Sequence, residues 1–238
     1  MTSAPTRERS RRETAWFVAA LAGALLVYNS TAQLVPGYNA AYVPMNLLAT
    51  GGVLFIGLHF GLSTGEMGLA RQHVRTGAVW GLVIVVLAAL VLAMAVAISP
   101  LRPLLDDERM AGIGPGLVAY RTLVRIPLGT ALFEEVAFRG ALLGASLRLA
   151  SPVTAALANS VVFGLWHIRP ALDLLDANGL GSGGASRLGL MIGAIGLTAA
   201  AGCLFCLLRL RSRSLLAPLL AHVGINSLAV LAAYSVTG

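Results

Sequence analysis

A run of uncharged, apolar residues from Gly77 to Ile98 limits the folds open to this chain more than any other feature. At 1.5 Å per residue, a helix of this length crosses the roughly 30 Å hydrocarbon core of a bilayer. Backbone in lipid must satisfy its hydrogen bonds internally, which a helix does and an irregular segment does not. We therefore predict a membrane-spanning helix here, ended by Pro100 and Pro103.

The composition of the whole chain agrees with a membrane protein. Of its 238 residues, 57% are hydrophobic and only 11% are charged, a balance that is unusual for a soluble domain. Further apolar segments of helical length lie on both sides of the first one. The pattern predicts an all-α fold, a polytopic transmembrane helix bundle of about seven spans. The predicted spans lie at 15–35, 41–62, 77–98, 117–149, 152–167, 188–208 and 218–236.

Two regions of this pattern are expected to depart from regular helix. Pro127 and Gly129 fall inside the fourth segment, and proline removes a backbone donor and clashes with the preceding turn. We expect a bend or break there that makes the first part of the segment a separate amphipathic piece. The connection from Arg169 to Arg187 contains Asn178-Gly179 and a Gly/Ser run, and it is predicted to be the longest irregular loop.

The distribution of arginine predicts how the spans are oriented. All 17 basic residues are arginine, and against 10 acidic residues they give a formal charge of +7. They are scattered among segment ends and form no single basic face, so no nucleic-acid partner is expected. The positive-inside rule favours a multi-pass protein of the plasma membrane with a cytosolic N-terminus. The predicted inside arginines are Arg7, Arg9, Arg11, Arg12, Arg71, Arg75, Arg148, Arg209, Arg211 and Arg213, and the outside ones are Arg102, Arg109, Arg169 and Arg187.

Three ionisable side chains interrupt the fourth segment: Glu134, Glu135 and Arg139. Each such group at the middle of a membrane helix costs about 3 kcal/mol on insertion scales, so we expect them to face the protein interior or a wet cavity. Residues four apart share a helix face, whereas adjacent residues diverge by about 100°. Glu135 and Arg139 are therefore predicted to pair, with Glu134 directed elsewhere. A structural ion pair alone would not need the second carboxylate.

Two later segments carry the other strongly polar groups. His167 ends the fifth segment, and Phe163 lies four residues before it, where its ring can pack behind the imidazole. His222 and Asn226 lie four apart in the seventh segment and share one face. A cavity between spans 4, 5 and 7 would then hold a carboxylate, two imidazoles and an amide.

Such a cavity contains the groups that hydrolysis of a peptide bond by water requires. Glu134, together with His167, can accept a proton from the water. His222 and Asn226 can donate hydrogen bonds to the developing oxyanion, a role worth roughly 3 kcal/mol per donor. The alternative is a divalent metal such as zinc bound by Glu134, His167 and His222, since two histidines and a carboxylate are a known zinc ligand set. The spacing leaves both alternatives open.

Three short motifs carry a resemblance to a known family. Glu134-Glu135-x-x-x-Arg139, Phe163-x-x-x-His167 and His222-x-x-x-Asn226 occur in this order on separate segments. They resemble the signature motifs of the CPBP family of intramembrane proteases, which includes the CAAX prenyl endopeptidases of the Rce1 type and is often described as metalloproteases. The resemblance covers about 117–228 and extends to the flanking residues Phe138, Gly140 and Ala217-Pro218.

The resemblance implies a helical membrane protease that acts on a peptide or protein at the lipid bilayer. It implies that Glu134 and His167 activate water and that His222 and Asn226 stabilise the oxyanion. The supporting residues would be Glu135, Arg139 and Phe163. The chain then divides into a basic cytosolic tail at 1–14, three helices with connectors at 15–116, and the protease-like core at 117–238. The absence of lysine and the compact size favour a bacterial member.

Two functions of other classes also fit these residues. A proton-coupled transporter is one, because buried Glu and His side chains also form proton relays. No internal repeat is apparent, which weakens a transporter built from inverted repeats. A membrane scaffold of the same fold without catalytic activity is the other.

Overall fold

The computed structural model describes residues 10–181 and 183–237, and within them every regular element is helical. Arg7 and Arg9 of the predicted tail lie outside the described residues. Besides four short 3-10 helices (Ala32–Leu34, Arg71–His73, Ser99–Leu104 and Glu108–Met110), the described part has eight helices. In chain order they are α1 (Arg11–Thr31), α2 (Tyr38–Phe60), α3 (Val74–Ala97), α4 (115–146), α5 (Pro152–Trp166), α6 (Ile168–Ala177), α7 (Gly184–Ser212) and α8 (Leu216–Thr237). The predicted all-α class is confirmed.

Five of these helices are long and apolar enough to cross a bilayer: α1, α2, α3, α7 and α8. Large apolar side chains such as Phe55, Leu90 and Leu197 are more than half exposed on them, as expected for groups that contact lipid. The other two predicted spans also form helices. However, α4 is interrupted by charged side chains, and the 15 residues of α5 reach only about 22 Å. The chain is a multi-pass helical membrane bundle.

The helix ends follow local sequence signals. Ser10 caps α1, since its hydroxyl accepts from the Glu13 backbone N–H while the Glu13 carboxylate accepts from the Ser10 backbone N–H. Gly37 precedes α2 and Gly61 ends it, with φ of 78° and 98°, a left-handed conformation that favours glycine. Ser151 caps α5 by accepting from the backbone N–H of Thr154.

Pro127 and Gly129 do not interrupt α4. The helix runs without a gap through Pro115–Tyr120, Arg121–Ala131, Leu132–Glu134, Glu135–Leu142 and Leu143–Ser146. Around the proline the turns are widened to π-helical geometry, and the N–H of Leu132 bonds to the Pro127 carbonyl, five residues back. The prediction of a separate first piece is wrong, because the widened turns accommodate a proline without ending the helix.

Helix α4 lies at the centre of the bundle. Residues 133–146 are all buried, and α1, α2, α5, α7 and α8 contact this helix on its different sides. Phe133 and Phe138 pack with Phe163 and Trp166 of α5 in the main apolar core. A helix enclosed all round directs its polar side chains into protein instead of lipid. The carboxylates of α4 are therefore held inside the bundle.

The connection after α5 begins with a helix, α6, instead of the predicted irregular loop. Ala171 and Leu175 bury one face of α6, and this helical spacing of apolar residues outweighs the loop signals. Pro170 lies in the first turn, where a missing N–H does no harm. Gly179 follows the end of the helix with φ of 59°. The prediction for 169–187 is wrong in its first half.

Candidate active site

The predicted site residues come from α4, the end of α5 and α8, and three of them meet. The Oε2 atom of Glu134 lies 4.0 Å from Nε2 of His167 and 3.9 Å from Nε2 of His222. These residues are far apart in the chain and belong to three different elements. The packing of α5 and α8 against α4 brings them together.

Glu134 is held by one of its two carboxylate oxygens. The indole Nε1–H of Trp166 donates to Oε1 at 3.1 Å. The other oxygen, Oε2, is buried and has no hydrogen-bond partner among the described residues. A buried carboxylate oxygen aimed at two imidazoles is available to bind a proton or a polar molecule between them.

His167 follows the last residue of α5, and the helix end fixes its ring. Nδ1 lies 2.8 Å from the carbonyl oxygen of Phe163, so Nδ1–H donates to that carbonyl. In the neutral ring this leaves the lone pair on Nε2, the atom that faces Glu134. The Phe163 ring contacts the imidazole edge-on, with the centroids 4.5 Å apart.

Glu135 joins two of the other predicted residues. Its Oε1 accepts from Nη1 of Arg139 at 3.1 Å and from Nδ1 of His222 at 2.8 Å. The His222 ring is stacked on Phe205, with the centroids 5.0 Å apart and an interplanar angle of 19°. These contacts fix the His222 ring so that Nε2 is directed toward Glu134.

Arg139 is completely buried and is held by aromatic rings as well as by Glu135. Its guanidinium carbon lies 4.0 Å from the Phe163 ring centroid and 5.1 Å from that of Phe205. A guanidinium over the face of an aromatic ring is attracted by the ring quadrupole. Nη2 also donates to the carbonyl of Gly202 on α7 at 3.4 Å. Arg139 therefore connects α4, α5 and α7 behind the site.

The cluster buries more acidic than basic side chains. Glu134, Glu135 and Arg139 are all buried, and Arg139 is bonded to Glu135. Buried charge is expensive unless it is paired. His222 is bonded to Glu135 through one nitrogen and approaches Glu134 through the other. His222 therefore links the two carboxylates of the cluster.

Asn226 lies one helical turn after His222 and lines the cavity in front of Glu134. Its amide makes no hydrogen bond to Glu134, His167 or His222. The structure thus brings three of the four predicted catalytic residues into one cluster and places the fourth on the adjoining cavity wall.

The cavity has a volume of about 890 Å³, and its base contains Glu134, Trp166 and His167. His222 is not among the lining residues. The exposed lining residues surround the opposite end, which is therefore the mouth. They come from the turn between α1 and α2, from the first turn of α2, from the segment before α4 and from α6, and include Leu34, Asn39, Arg109, Arg169 and Asp173.

The predicted metal alternative gains no support from the geometry. No group of three or more His, Cys, Asp or Glu residues within 10–181 and 183–237 is arranged to hold a metal ion. Two atoms bound tetrahedrally at about 2.1 Å from zinc lie roughly 3.4 Å from each other. The Nε2 atoms of His167 and His222 are farther than that from Glu134 Oε2.

Sequence reasoning missed three residues that position the site. Trp166 orients Glu134, and Asn29 of α1 donates to the Trp166 carbonyl. Asn159 of α5 donates to the carbonyl of Phe138 at 2.8 Å and joins α5 to α4. The sequence signal for these residues was their residue type, since a buried indole N–H or amide in an apolar segment needs a hydrogen-bond partner. Spacing alone could not name that partner.

Comparison with known proteins agrees with the motifs. Residues 117–228 match the family model described as type II CAAX prenyl endopeptidase Rce1-like. Neither the curated proteins nor the solved structures gave a match to the chain. The matched segment begins near the start of α4 and ends within α8, so it contains every residue of the cluster described above. This match supports a CAAX-type protease that acts in a membrane, and residues 117–228 of this chain belong to the Rce1-like family.

Proposed function

We propose that this protein is an intramembrane endopeptidase that uses water to hydrolyse a peptide bond of a membrane-associated peptide or protein. The observation that carries the proposal is the position of Glu134 Oε2. This oxygen is buried, has no hydrogen-bond partner among the described residues, and lies within 4.0 Å of Nε2 of both His167 and His222. The Rce1-like match supports the same class of activity.

Glu134 and His167 are proposed to activate the water. A water molecule at hydrogen-bond distance from both groups bridges a separation of 4.0 Å with ordinary geometry. Trp166 occupies the other oxygen of Glu134, so Oε2 is the oxygen that accepts the proton. His167 donates its Nδ1–H to the Phe163 carbonyl, and its free Nε2 lone pair orients the same water.

His222 and Asn226 are proposed to stabilise the oxyanion. As the water oxygen bonds to the carbonyl carbon, negative charge develops on the carbonyl oxygen, and donors aimed at it lower the barrier. His222 can donate from Nε2 when it is protonated, and the Glu135 carboxylate at Nδ1 stabilises that imidazolium. The Asn226 amide supplies a second donor from the cavity wall.

The reaction ends with cleavage of the carbon–nitrogen bond. The proton held by Glu134 passes to the leaving nitrogen as that bond breaks, which gives a carboxylic acid and an amine, and transfer of the acid proton to the amine leaves a carboxylate and an ammonium group. Glu134 thus returns to its ionised form. The overall change consumes one water and leaves the protein unaltered.

Cleavage of peptides by the purified protein tests this proposal. We expect Glu134→Gln and His167→Ala each to lower kcat/KM at least 100-fold on peptide libraries that include prenylated C-terminal peptides. His59→Ala is the matched control. His59 lies near the end of α2, away from the cluster, so this variant should cleave the peptides normally. Unchanged cleavage in both site variants would contradict the proposal. If no substitution in the motifs changed the cellular phenotype, the alternative of a membrane scaffold without catalytic activity would be favoured.

We also propose that the N-terminus is cytosolic and that the chain lies in the plasma membrane. Arg11 bonds to the carbonyl of Leu149, and Arg148 bonds to the carbonyl of Gly61, so these helix ends share one side of the bundle. That side is rich in arginine, which favours the cytosol. The described arginines there are Arg11, Arg12, Arg71, Arg75, Arg148, Arg209, Arg211 and Arg213.

The mouth of the catalytic cavity lies at the other side of the bundle. Two of the arginines at the mouth are paired with aspartate: Arg109 with Asp107, and Arg169 with Asp173. With a cytosolic N-terminus, the mouth faces the outside of the cell. Substrates would then enter from the outer leaflet or the space beyond it.

A further inference from the structure

A second cavity adjoins the catalytic one and is lined by three arginines. It has a volume of about 740 Å³ and lies between α4, α8 and the segment before α4. The two cavities share the wall residues Asn39, Arg109, Arg125 and Asn226. A substrate peptide that passes Asn226 to reach Glu134 can therefore place one of its groups in the second cavity.

The three arginines of this cavity differ in how their charge is satisfied. Arg109 makes a bidentate pair with Asp107, with contacts of 2.9 and 2.6 Å. Arg121 donates to the backbone carbonyl of Arg109 at 3.2 Å, which carries no full charge. Arg125 lies over the ring of Tyr42, 3.7 Å from its centroid. Within the described residues, neither Arg121 nor Arg125 is paired with a carboxylate, so the cavity has an excess of positive charge.

The position of Arg125 suits a substrate group near the scissile bond. Arg125, Thr130 and Glu134 all line the catalytic cavity. Nine residues of helix separate Arg125 from Glu134, a rise of at most about 13 Å. An extended peptide covers that distance in about four residues. The Tyr42 ring covers one face of the guanidinium and leaves the N–H groups at its edge free to donate.

We propose that Arg125, with Arg121 beside it, binds a carboxylate of the substrate about four residues from the bond that is cleaved. The inference rests on the proposed peptidase function and adds the chemical class of the group that anchors the substrate. Arginine binds carboxylates with two parallel hydrogen bonds, which fixes both position and direction. The carboxylate belongs either to the C-terminus of the peptide or to an acidic side chain.

Peptide binding to a protein that cannot turn over tests this site. The Glu134→Gln variant is placed in nanodiscs of phosphatidylcholine. The probes are fluorescent, N-acetylated apolar hexapeptides in three matched forms: a free C-terminal acid, a C-terminal amide, and an amide with one internal aspartate. We expect at least one acidic form to bind ten-fold or more tightly than the neutral amide. The form that does so identifies the source of the carboxylate.

Substitution of Arg125 then tests the assignment. We expect Arg125→Gln to reduce the preference for the acidic peptide to less than two-fold, and Arg125→Lys to retain part of it. Arg102→Gln is the matched control, because it removes an exposed charge from the same side of the bundle without lining either cavity. It should keep the full preference. Arg121→Gln should lower the preference partially and provides a second variant if Arg125→Gln does not fold.

Three results would overturn the proposal. The first is equal binding of acidic and neutral peptides, and the second is a preference for the acidic peptide that survives Arg125→Gln. The third is an Arg125-dependent affinity for phosphatidylglycerol without any peptide preference, which would make the site a lipid phosphate site. Failure of the peptidase proposal gives a different result. In that case acidic peptides bind with the Arg125 dependence, but the protein with Glu134 intact does not cleave them.

Discussion

Glu135 and His222 form a hydrogen bond of 2.8 Å between Oε1 and Nδ1, although 87 positions separate them in the chain. Both side chains are buried, and Arg139 shares the same carboxylate oxygen. The bond joins α8 to the central helix and sets which nitrogen of His222 faces Glu134. Glu135 therefore has two separable roles, one in stability and one in the orientation of the His222 ring.

The first prediction concerns Glu135. We expect Glu135→Gln to destabilise the protein by about 3 kcal/mol, because Arg139 is left as an uncompensated buried charge. Thermal unfolding in detergent measures the loss. The double substitution Glu135→Gln/Arg139→Met should recover part of it, since the unpaired charge is then removed. A double variant less stable than either single variant would contradict this account.

The second prediction concerns Trp166. Trp166→Phe keeps an aromatic ring in the core but removes the donor to Glu134 Oε1. We expect kcat to fall about ten-fold with little change in KM, because a lost hydrogen bond to a buried charged group is worth about 1.5–3 kcal/mol and acts on the carboxylate that we propose to be catalytic. Trp80→Phe on the exposed face of α3 is the control and should behave like the unaltered protein. A normal kcat for Trp166→Phe would show that the indole does not orient Glu134.

The third prediction concerns pH and the loop between α2 and α3. Partial burial of Glu66 acts to raise its pKa, but bonds from Arg148 and Ser63 outweigh it and lower the pKa of Glu66 to about 2, from 4.5. The bonds are those from Arg148 Nε at 2.6 Å and from the Ser63 hydroxyl at 2.8 Å. Because the folded pKa lies below the unfolded one, the stabilisation is complete above pH 4.5 and is lost as the pH falls toward 2.

Glu66→Gln tests this pH dependence. At pH 7 the variant should unfold at a lower temperature than the unaltered protein, and the difference between the two should shrink as the pH falls from 4.5 toward 2. Melting temperatures measured across this range give the comparison. A difference that is constant over the range would rule out the contribution of the ionised Glu66.

The fourth prediction concerns the side of the membrane at which the cavity opens. In a background with Cys203→Ala and Cys206→Ala, a cysteine at Asn39 marks the mouth and a cysteine at Gln72 marks the arginine-rich side. In intact cells, a membrane-impermeant maleimide should label the first and not the second. After permeabilisation it should label both. Labelling of Gln72→Cys alone in intact cells would reverse the proposed orientation.

The local sequence pattern predicted the membrane helices well, because the need for backbone hydrogen bonds within an apolar segment is itself local. An apolar run such as Gly77 to Ile98 must bond its own backbone in lipid, and helix is the local structure that does so. The i to i+4 spacing likewise predicted that Glu135 and Arg139 would face each other, and the structure shows them 3.1 Å apart. The failures at Pro127 and at α6 arose where packing of the surrounding helices outweighed the turn-forming residues.

The sequence by itself determined the class of fold and the identity of the polar residues that the apolar segments carry. Only the tertiary structure decided which of them meet: His222 bonds to Glu135 rather than to Glu134, Trp166 holds Glu134, and Arg125 lines the cavity with no carboxylate partner in the part of the chain that the structure describes. Spacing along one helix sets which side chains share a face. The rotation and depth of each helix against its neighbours are set by side-chain packing summed over the whole bundle, and that sum has no local signature in the chain.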